Sequence, residues 1–438
     1  MRRSKGVRKP GRLGLAGALV VLAAAGCSST SGPGPGPGPD TGTLRVTSLT
    51  TGAAPDSDGY SVSVDGGTGL ALAVGDTVTL DSLSAGSHQV TLSGLASNCF
   101  VPMADPLTVS VSASATTAAT FLVSCPLGAR IAFVSDRAGS RDVWIMSADG
   151  SGPVDLTGGS GSPEDGPAWS PDGTRIAYVS SSSGSQDIWV VAADGSGATD
   201  LTFGSSGAES EPTWSPDGSR IAFVSDRSGS AEIWVMSADG SGQTQLTNAV
   251  GTDDSPRWSP FGTLIAYVSA RTGDPDVWVV AADGSGTYDA SDNSGGADTQ
   301  PDWSPDGSVI AFTSDRTGDA EVWAMNADGS GQVQLTSAPG ADDSPRWSPF
   351  GAQIAFVSAR TGARDVWLMN ADGSSQVDLT QGGASQDTDP VWSPFGSAIA
   401  FVSDRTGDFE VWAVNADGSG AVDLTQSGLA DLAPAWQP

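Results

Sequence analysis

A unit of 44 or 45 residues recurs seven times between Ile131 and Pro438, and no other feature limits the possible folds as tightly. The run Ile-Ala-Phe-Val-Ser begins at Ile131 and returns, slightly varied, at Ile176, Ile221, Ile265, Ile310, Ile354 and Ile399. A fixed period of this length means a solenoid, a propeller or an array. Within each unit the order is constant. The apolar run is followed by an Asp-Arg-x-Gly turn, an acidic residue with Val-Trp or Ile-Trp, and Ala-Asp-Gly-Ser-Gly. A short segment, a polar loop and Pro-x-Trp-Ser-Pro-Asp-Gly complete it. The runs are short, β-branched or aromatic, and bounded by Gly, Pro, Asp and Ser, which is strand chemistry. No segment carries apolar residues at helical spacing for long enough to make a helix. Helical solenoids are therefore excluded. Each unit predicts four short antiparallel strands, and seven units predict an all-β fold, a seven-bladed β-propeller.

All 14 Trp fall in the repeat, two per unit. One set (Trp144, Trp189, Trp234, Trp278, Trp323, Trp367, Trp412) sits mid-unit, and the other (Trp169, Trp214, Trp258, Trp303, Trp347, Trp392, Trp436) ends the polar loop. Their presence in every unit points to packing; sugar-stacking platforms are the alternative. The repeat starts with the Ile131 strand and ends with Pro434-Ala435-Trp436, the piece that precedes that strand in every other unit. The 434–436 strand is thus expected innermost in the blade that holds 131–157. It would close the ring and remove exposed sheet edges.

The segment Trp-Ser-Pro-Asp-Gly-Ser-Arg-Ile-Ala-Phe-Val-Ser-Asp-Arg at 214–227, continued by Glu-Ile-Trp-Val-Met-Ser-Ala-Asp-Gly-Ser-Gly at 232–242, resembles the WD-like propeller repeat of TolB-type periplasmic proteins. The resemblance covers the seven units and implies the propeller fold. TolB itself has six blades behind an α/β domain, whereas this chain has seven units behind an all-β segment. A role in the cell envelope is what the resemblance implies by analogy. Propellers of this type also occur beside peptidases and in polysaccharide-degrading proteins.

Residues 1–26 have the pattern of a secretory signal: Arg2, Arg3, Lys5, Arg8, Lys9 and Arg12, then an apolar stretch from Leu13 to Ala25. Ala24-Ala25-Gly26-Cys27 resembles a lipobox, so Cys27 is the expected lipidation site; an ordinary signal peptide with an incidental Cys is the alternative. Two or three acyl chains anchor stably where one would be marginal. Ser28 follows the Cys, which favours the outer membrane, facing the periplasm or the cell surface. Residues 27–42, rich in Gly and Pro, are expected to be a tether. Residues 43–125 predict a β-sandwich of about seven strands. Strands are expected at Tyr60–Val64 and from Val74 to Leu80, with a hairpin turn at Asp65-Gly66. The segment Leu83–Leu92 resembles a strand of PEGA-type surface domains. Cys99 and Cys125 are expected to form a disulfide in an oxidising compartment, with two free thiols as the alternative. The propeller takes residues 126–438.

Both Lys lie in the signal segment; beyond it 14 Arg face 50 acidic residues, a net charge of −36. That excludes nucleic acid as a partner, since phosphate binding needs a basic face. It also leaves the lipid as the only route to the membrane. The lone His, His88, lies outside the repeat, so the propeller can hold neither a Ser-His-Asp triad nor a His-bearing metal site. No catalytic residue, metal or cofactor is expected, and the Ala-Asp-Gly-Ser-Gly turns carry too few acidic oxygens for calcium. His88 is expected on the surface or half-buried.

An acidic residue precedes each mid-unit Trp (Asp142, Asp187, Glu232, Asp276, Glu321, Asp365, Glu410), with an Arg five or six residues earlier in six units (Arg137, Arg227, Arg271, Arg316, Arg360, Arg405) and Ser182 in the remaining one. The expectation is an ion pair between the two across one hairpin. Function is expected where the units differ. The polar loops hold Glu164 and Asp165, Glu209 and Glu211, Asp253 and Asp254, Asp298, Asp342 and Asp343, Asp387 and Asp389, and Asp431. Two units read Asp-Asp-Ser-Pro-Arg-Trp, adding Arg257 and Arg346, and a third has Asp302 at that place. Asp254, Arg257, Asp298, Asp302, Asp343, Arg346 and Asp389 are the candidate partner-binding residues at one mouth of the channel, for a cationic peptide, protein segment or ion; solvated loop charge is the alternative. At the other face Phe261, Phe350 and Phe395 replace Asp in the Pro-x-Gly turn. They are expected to pack on a neighbouring Ala-Asp-Gly-Ser-Gly turn, with a partner contact as the alternative. The sequence thus predicts a monomeric, lipid-anchored, non-catalytic propeller that binds a protein partner. A carbohydrate-binding or polysaccharide-processing propeller is the alternative.

Overall fold

The computed structural model describes residues 41–51, 59–94, 107–124, 129–291, 295–381 and 383–438. The signal segment, residues 27–40 of the tether (Cys27 included), Cys99 and Cys125 lie outside the described residues, whereas Thr41 and Gly42, expected in the tether, open the first strand. The described chain is all strand and turn, and it divides into two compact units, 1–128 and 129–438.

The N-terminal unit has seven strands: β1 (Thr41–Thr51), β2 (Tyr60–Val64), β3 (Leu70–Leu72), β4 (Thr77–Ser84), β5 (Gly86–Ser93), β6 (Leu107–Val111) and β7 (Thr116–Ser124). They form two sheets, β4-β1-β7 and β3-β2-β5-β6. Both sheets contribute alternate residues to one core, Leu44, Val46 and Phe121 from the first and Val62, Val90 and Val109 from the second. Asp65 and Gly66 both have positive φ (50° and 71°), as a tight hairpin turn requires. The stretch from Val74 to Leu80 is not one strand. Gly75, at φ 73°, turns the chain before β4. The stretch Leu83–Leu92 is likewise divided, β4 ending at Ser84 and β5 starting at Gly86. His88 is buried rather than exposed or half-buried, its Nδ1 2.7 Å from Asp65 Oδ2 and its Nε2 2.8 Å from the Ser84 carbonyl.

The second unit contains seven four-stranded antiparallel sheets. Blades 2 to 7 span 164–200, 209–245, 253–289, 298–334, 342–378 and 387–423. Blade 1 is composite. Its innermost strand, Asp431–Trp436, pairs with Arg130–Ser135, setting Trp436 opposite Ile131 and Asp431 opposite Ser135. The second strand of every blade is buried at five consecutive positions, which explains its unbroken apolar reading: each face meets a neighbouring blade. Seven apolar clusters fill the seven junctions. The last joins Ile131, Phe133 and Met146 of blade 1 to Ala400, Val411 and Leu424 of blade 7, so the ring is closed.

The two Trp sets differ. The loop-end Trp lie in the junctions, and six of them donate the indole N–H to a carbonyl of the preceding blade, as Trp169 does to Ala435 at 3.0 Å. The mid-blade Trp are half-buried and capped by arginine. The guanidiniums of Arg137, Arg227, Arg271, Arg316, Arg360 and Arg405 sit 4.3–5.0 Å from the ring centres, leaving Trp189 without such a cap among the described residues. Sugar stacking on exposed rings does not fit this arrangement.

The expected hairpin ion pair is not formed. Each of those arginines instead reaches the first residue of its blade's innermost strand: Arg137–Asp431, Arg227–Glu209, Arg271–Asp253, Arg316–Asp298, Arg360–Asp342 and Arg405–Asp387, at 2.5–3.0 Å. The Ser that ends the second strand accepts the same arginine's Nε–H, as Ser135 does from Arg137 at 2.8 Å. The acidic residue before the mid-blade Trp takes hydroxyl groups, as Asp187 does from Thr202 and Glu232 from Thr247. Both carboxylates are buried, and the arginine that reaches the innermost strand lies across its Trp on the way. In blade 2, where Ser182 stands for arginine, Glu164 accepts from Ser160 (2.7 Å) and Ser180 (3.0 Å) instead.

Candidate ligand channel

The innermost strands place the non-repeated residues around one axis. Each is six residues long with a bulge after its second position. The third residue takes a left-handed backbone in every blade, Gly166, Glu211, Ser255, Gln300, Ser344, Asp389 and Ala433, all with φ between 50° and 59°. Such strain in six non-glycine residues is uncommon, and the repeated bulge re-aims the residues that follow. The sixth residue, always Trp, lies in the junction. The fourth, always Pro, is buried, and the fifth is half-buried: Ala168, Thr213, Arg257, Asp302, Arg346, Val391 and Ala435.

The predicted acidic mouth is thus divided in two. Its first-position members, Asp298 among them, are buried and serve the arginine clasps, so Asp298 is not offered to a partner. The second-position residues remain at the rim. Asp343 is held by Arg364 at 2.6 Å, and Asp165 pairs with Arg141 at 3.0 Å. Asp254 lacks such an arginine, because Pro275 stands where blade 6 has Arg364. The third-position residues were not singled out as a ring from sequence, yet they tie adjacent blades together at the mouth. Glu211 accepts the Ser255 N–H at 2.6 Å, and Gln300 accepts the Ser344 N–H at 2.9 Å. The only sequence signal for this is the Pro that follows each of them, which disfavours the right-handed helical region but does not select the left-handed one.

Inside the mouth lies a cavity of about 260 Å³ bounded by Gly166, Pro167, Arg257, Arg346, Asp389–Val391 and Ala433–Ala435. Its two sides differ. Blades 7, 1 and 2 supply Val391, prolines and Ala435; blades 4 and 6 supply two guanidinium groups. Among the described residues neither Arg257 nor Arg346 has a carboxylate within ion-pair distance; Arg346 donates to the Pro345 carbonyl at 3.2 Å. Asp302, from the blade between them, turns aside and accepts the Trp347 backbone N–H at 2.7 Å. At that junction the ring of indole hydrogen bonds is broken, and the Trp347 Nε1 is without a partner. The neighbouring charge of Arg346, together with burial, pushes Arg257 down to about 10, with Asp302 and Glu211 opposing. Burial pushes the Asp302 carboxyl up, against the pull of Arg346, the Trp347 N–H and Arg257. Of the predicted site residues, Arg257, Arg346 and Asp389 therefore share one cavity. Asp302 adjoins it, Asp254 and Asp343 stay at the rim, and Asp298 is excluded.

At the opposite face Phe261 and Phe350 are 73% and 63% exposed. They lie beside Gly307 and Gly396, the turn glycines of the following blade, rather than on an Ala-Asp-Gly-Ser-Gly turn.

Comparisons with known proteins place this architecture. No curated protein matches the chain. Among solved structures, puromycin hydrolase is 15% identical with a TM-score of 0.55, over 67% of this chain and 52% of that one. An oligogalacturonate lyase from Vibrio parahaemolyticus is 16% identical with a TM-score of 0.54, over 64% and 85%. TolB from Acinetobacter baumannii is 22% identical with a TM-score of 0.48, over 71% and 67%. Identities this low speak to fold alone. The family model of the TolB beta propeller domain matches residues 166–294, 242–338 and 330–438, and by that match, over more than half of its length, the chain belongs to the TolB beta-propeller family.

Proposed function

We propose that the chain is a non-catalytic, lipid-anchored scaffold of the cell envelope, tethered through Cys27, whose propeller receives a protein partner at the channel mouth. The observation that carries this reading is the distribution of irregularity. The blades largely repeat one another in their clasps, turns and Trp, and the charged departures from repetition gather where Arg257, Asp302, Arg346 and Asp389 surround or adjoin one cavity. Packing alone gives no use for charge placed there. The family membership supports an interaction scaffold in general terms. Outer-membrane attachment, a monomeric state and a disulfide between Cys99 and Cys125 belong to the same proposal.

The test is affinity capture from envelope extract with the wild-type chain and with a rim variant, Asp254→Asn combined with Asp343→Asn. The reading expects recovery of a defined partner to fall at least fivefold for the variant. Equal recovery of every captured protein removes the rim as the contact surface.

A further inference from the structure

Resting on the reading of the channel as the binding surface, we propose that the cavity is a site for a free peptide carboxylate: its carboxylate lies between Arg257 and Arg346, its last apolar side chain against Val391 and the prolines, and its cationic end at the acidic rim.

Three observations converge. First, two guanidiniums border one small cavity with no carboxylate in ion-pair distance among the described residues. Two like charges enclosed together are unfavourable unless an anion joins them, and the planar guanidinium fork matches a carboxylate. Asp302, the one acidic group at their level of the channel, is engaged by the Trp347 N–H. Asp389 borders the same cavity and Asp302 adjoins it, yet neither carboxylate pairs with a guanidinium, so the forks stay open to a singly charged carboxylate, and these two aspartates disfavour a doubly charged phosphate. Second, the facing wall of Pro167, Pro390, Val391, Pro434 and Ala435 is apolar and offers nothing to a purely ionic ligand. Third, charge changes sign along the axis. Arg257 and Arg346 stand at the fifth position of their strands, while Asp389 borders the cavity at the third. Two strand residues separate these levels by about 6–7 Å, the span from amine to carboxylate in a dipeptide. The cavity of about 260 Å³ has room for the end of a peptide and opens to solvent, so a longer chain can leave it.

Titration calorimetry on the whole chain tests this with four probes: Ala-Val, its C-terminal amide, its N-acetyl form, and a ten-residue Gly-Ser peptide ending in Ala-Val. Ala-Val is expected to bind, with the amide at least about tenfold weaker and the acetylated form weaker by a smaller factor. Arg257→Gln and Arg346→Gln are each expected to lose about tenfold toward Ala-Val and to lose the distinction between acid and amide. Circular dichroism melting checks that these variants fold, and the wild-type comparison of acid with amide needs no variant. If the ten-residue peptide binds as the acetylated dipeptide does, the source is a polypeptide C-terminus; if it does not bind, it is a free dipeptide. Equal binding of acid and amide, or no Ala-Val binding up to about 1 mM, overturns the proposal. So does binding of inorganic phosphate in preference to Ala-Val. These titrations contain no protein partner, so a rim variant that leaves partner recovery unchanged would remove the rim as the partner's contact surface without touching this result.

Discussion

Six of the seven blades carry an arginine clasp, and the exception defines a sharp experiment. Ser182→Arg would install the missing guanidinium in blade 2. The receiving geometry exists in blade 4, where Arg271 reaches Asp253 at 2.7 Å, bonds the hydroxyl of Tyr267 at 2.9 Å and stacks 4.3 Å from Trp278. Blade 2 has Tyr178 and Trp189 at the matching places and Glu164 as the waiting carboxylate. Without arginine, burial and the facing Asp142 carboxyl push Glu164 from 4.5 up to about 7, although the hydroxyls of Ser160 and Ser180 oppose. A carboxyl raised in this way binds more protons folded than unfolded between those values. Stability therefore falls as pH rises from 4.5 to about 7, and the full penalty is present above. Converted directly, the shift is about 3 kcal/mol. Screening by water and the ordering of a long side chain reduce the recoverable part to about 1–2 kcal/mol. For a unit of this size that is a rise in melting temperature of about 2–3 °C at pH 8 and almost none at pH 5. Differential scanning calorimetry from pH 5 to 8.5 measures it. A variant that melts at or below wild type at pH 8, or that keeps the wild-type slope with pH, refutes the account of Glu164.

Other consequences follow from the same contacts. Asp431→Ala removes the partner of Arg137 in the composite blade and is expected to cost about 2–3 kcal/mol, with earlier proteolysis between residues 130 and 155; the double variant with Arg137→Met should recover part of the loss. His88 is held above its ordinary value by the Ser84 carbonyl first and by Asp65. Its contribution to the N-terminal unit is therefore complete below about pH 6.5 and lost as pH rises through the folded value, and His88→Phe should flatten the pH dependence of that unit's melting. Asp302→Ala leaves the part-buried Trp347 backbone N–H unpaired and should cost about 1–2 kcal/mol by denaturant unfolding; Asp302→Asn, which can still accept that hydrogen bond, should cost less. Cys27→Ala should move the protein from the membrane fraction to the soluble one and abolish labelling by palmitate; unchanged membrane association would sink the lipid anchor.

The repeat, the strand chemistry of each unit, the packing role of Trp and the closure by the last strand were all legible in the chain itself. Their information is local: a short apolar run flanked by turn residues specifies a strand wherever it occurs, and an offset between first and last unit specifies which strands must meet. The partner of each arginine was not legible. Arg137 is closer in sequence to Asp142 than to Asp431, yet it bonds the latter, because the clasp is set by pairing between the first and second strands of a blade. The same pairing buried Asp298 and its counterparts while leaving Asp254 and Asp343 at the rim, a distinction that acidic composition does not encode. The opposed guanidiniums of Arg257 and Arg346 belong wholly to the tertiary structure. They stand two blades apart in the sequence, and the closed ring alone brings them to one cavity, where burial and the lack of an ion-pair partner among the described residues give two ordinary side chains a shared demand for an anion.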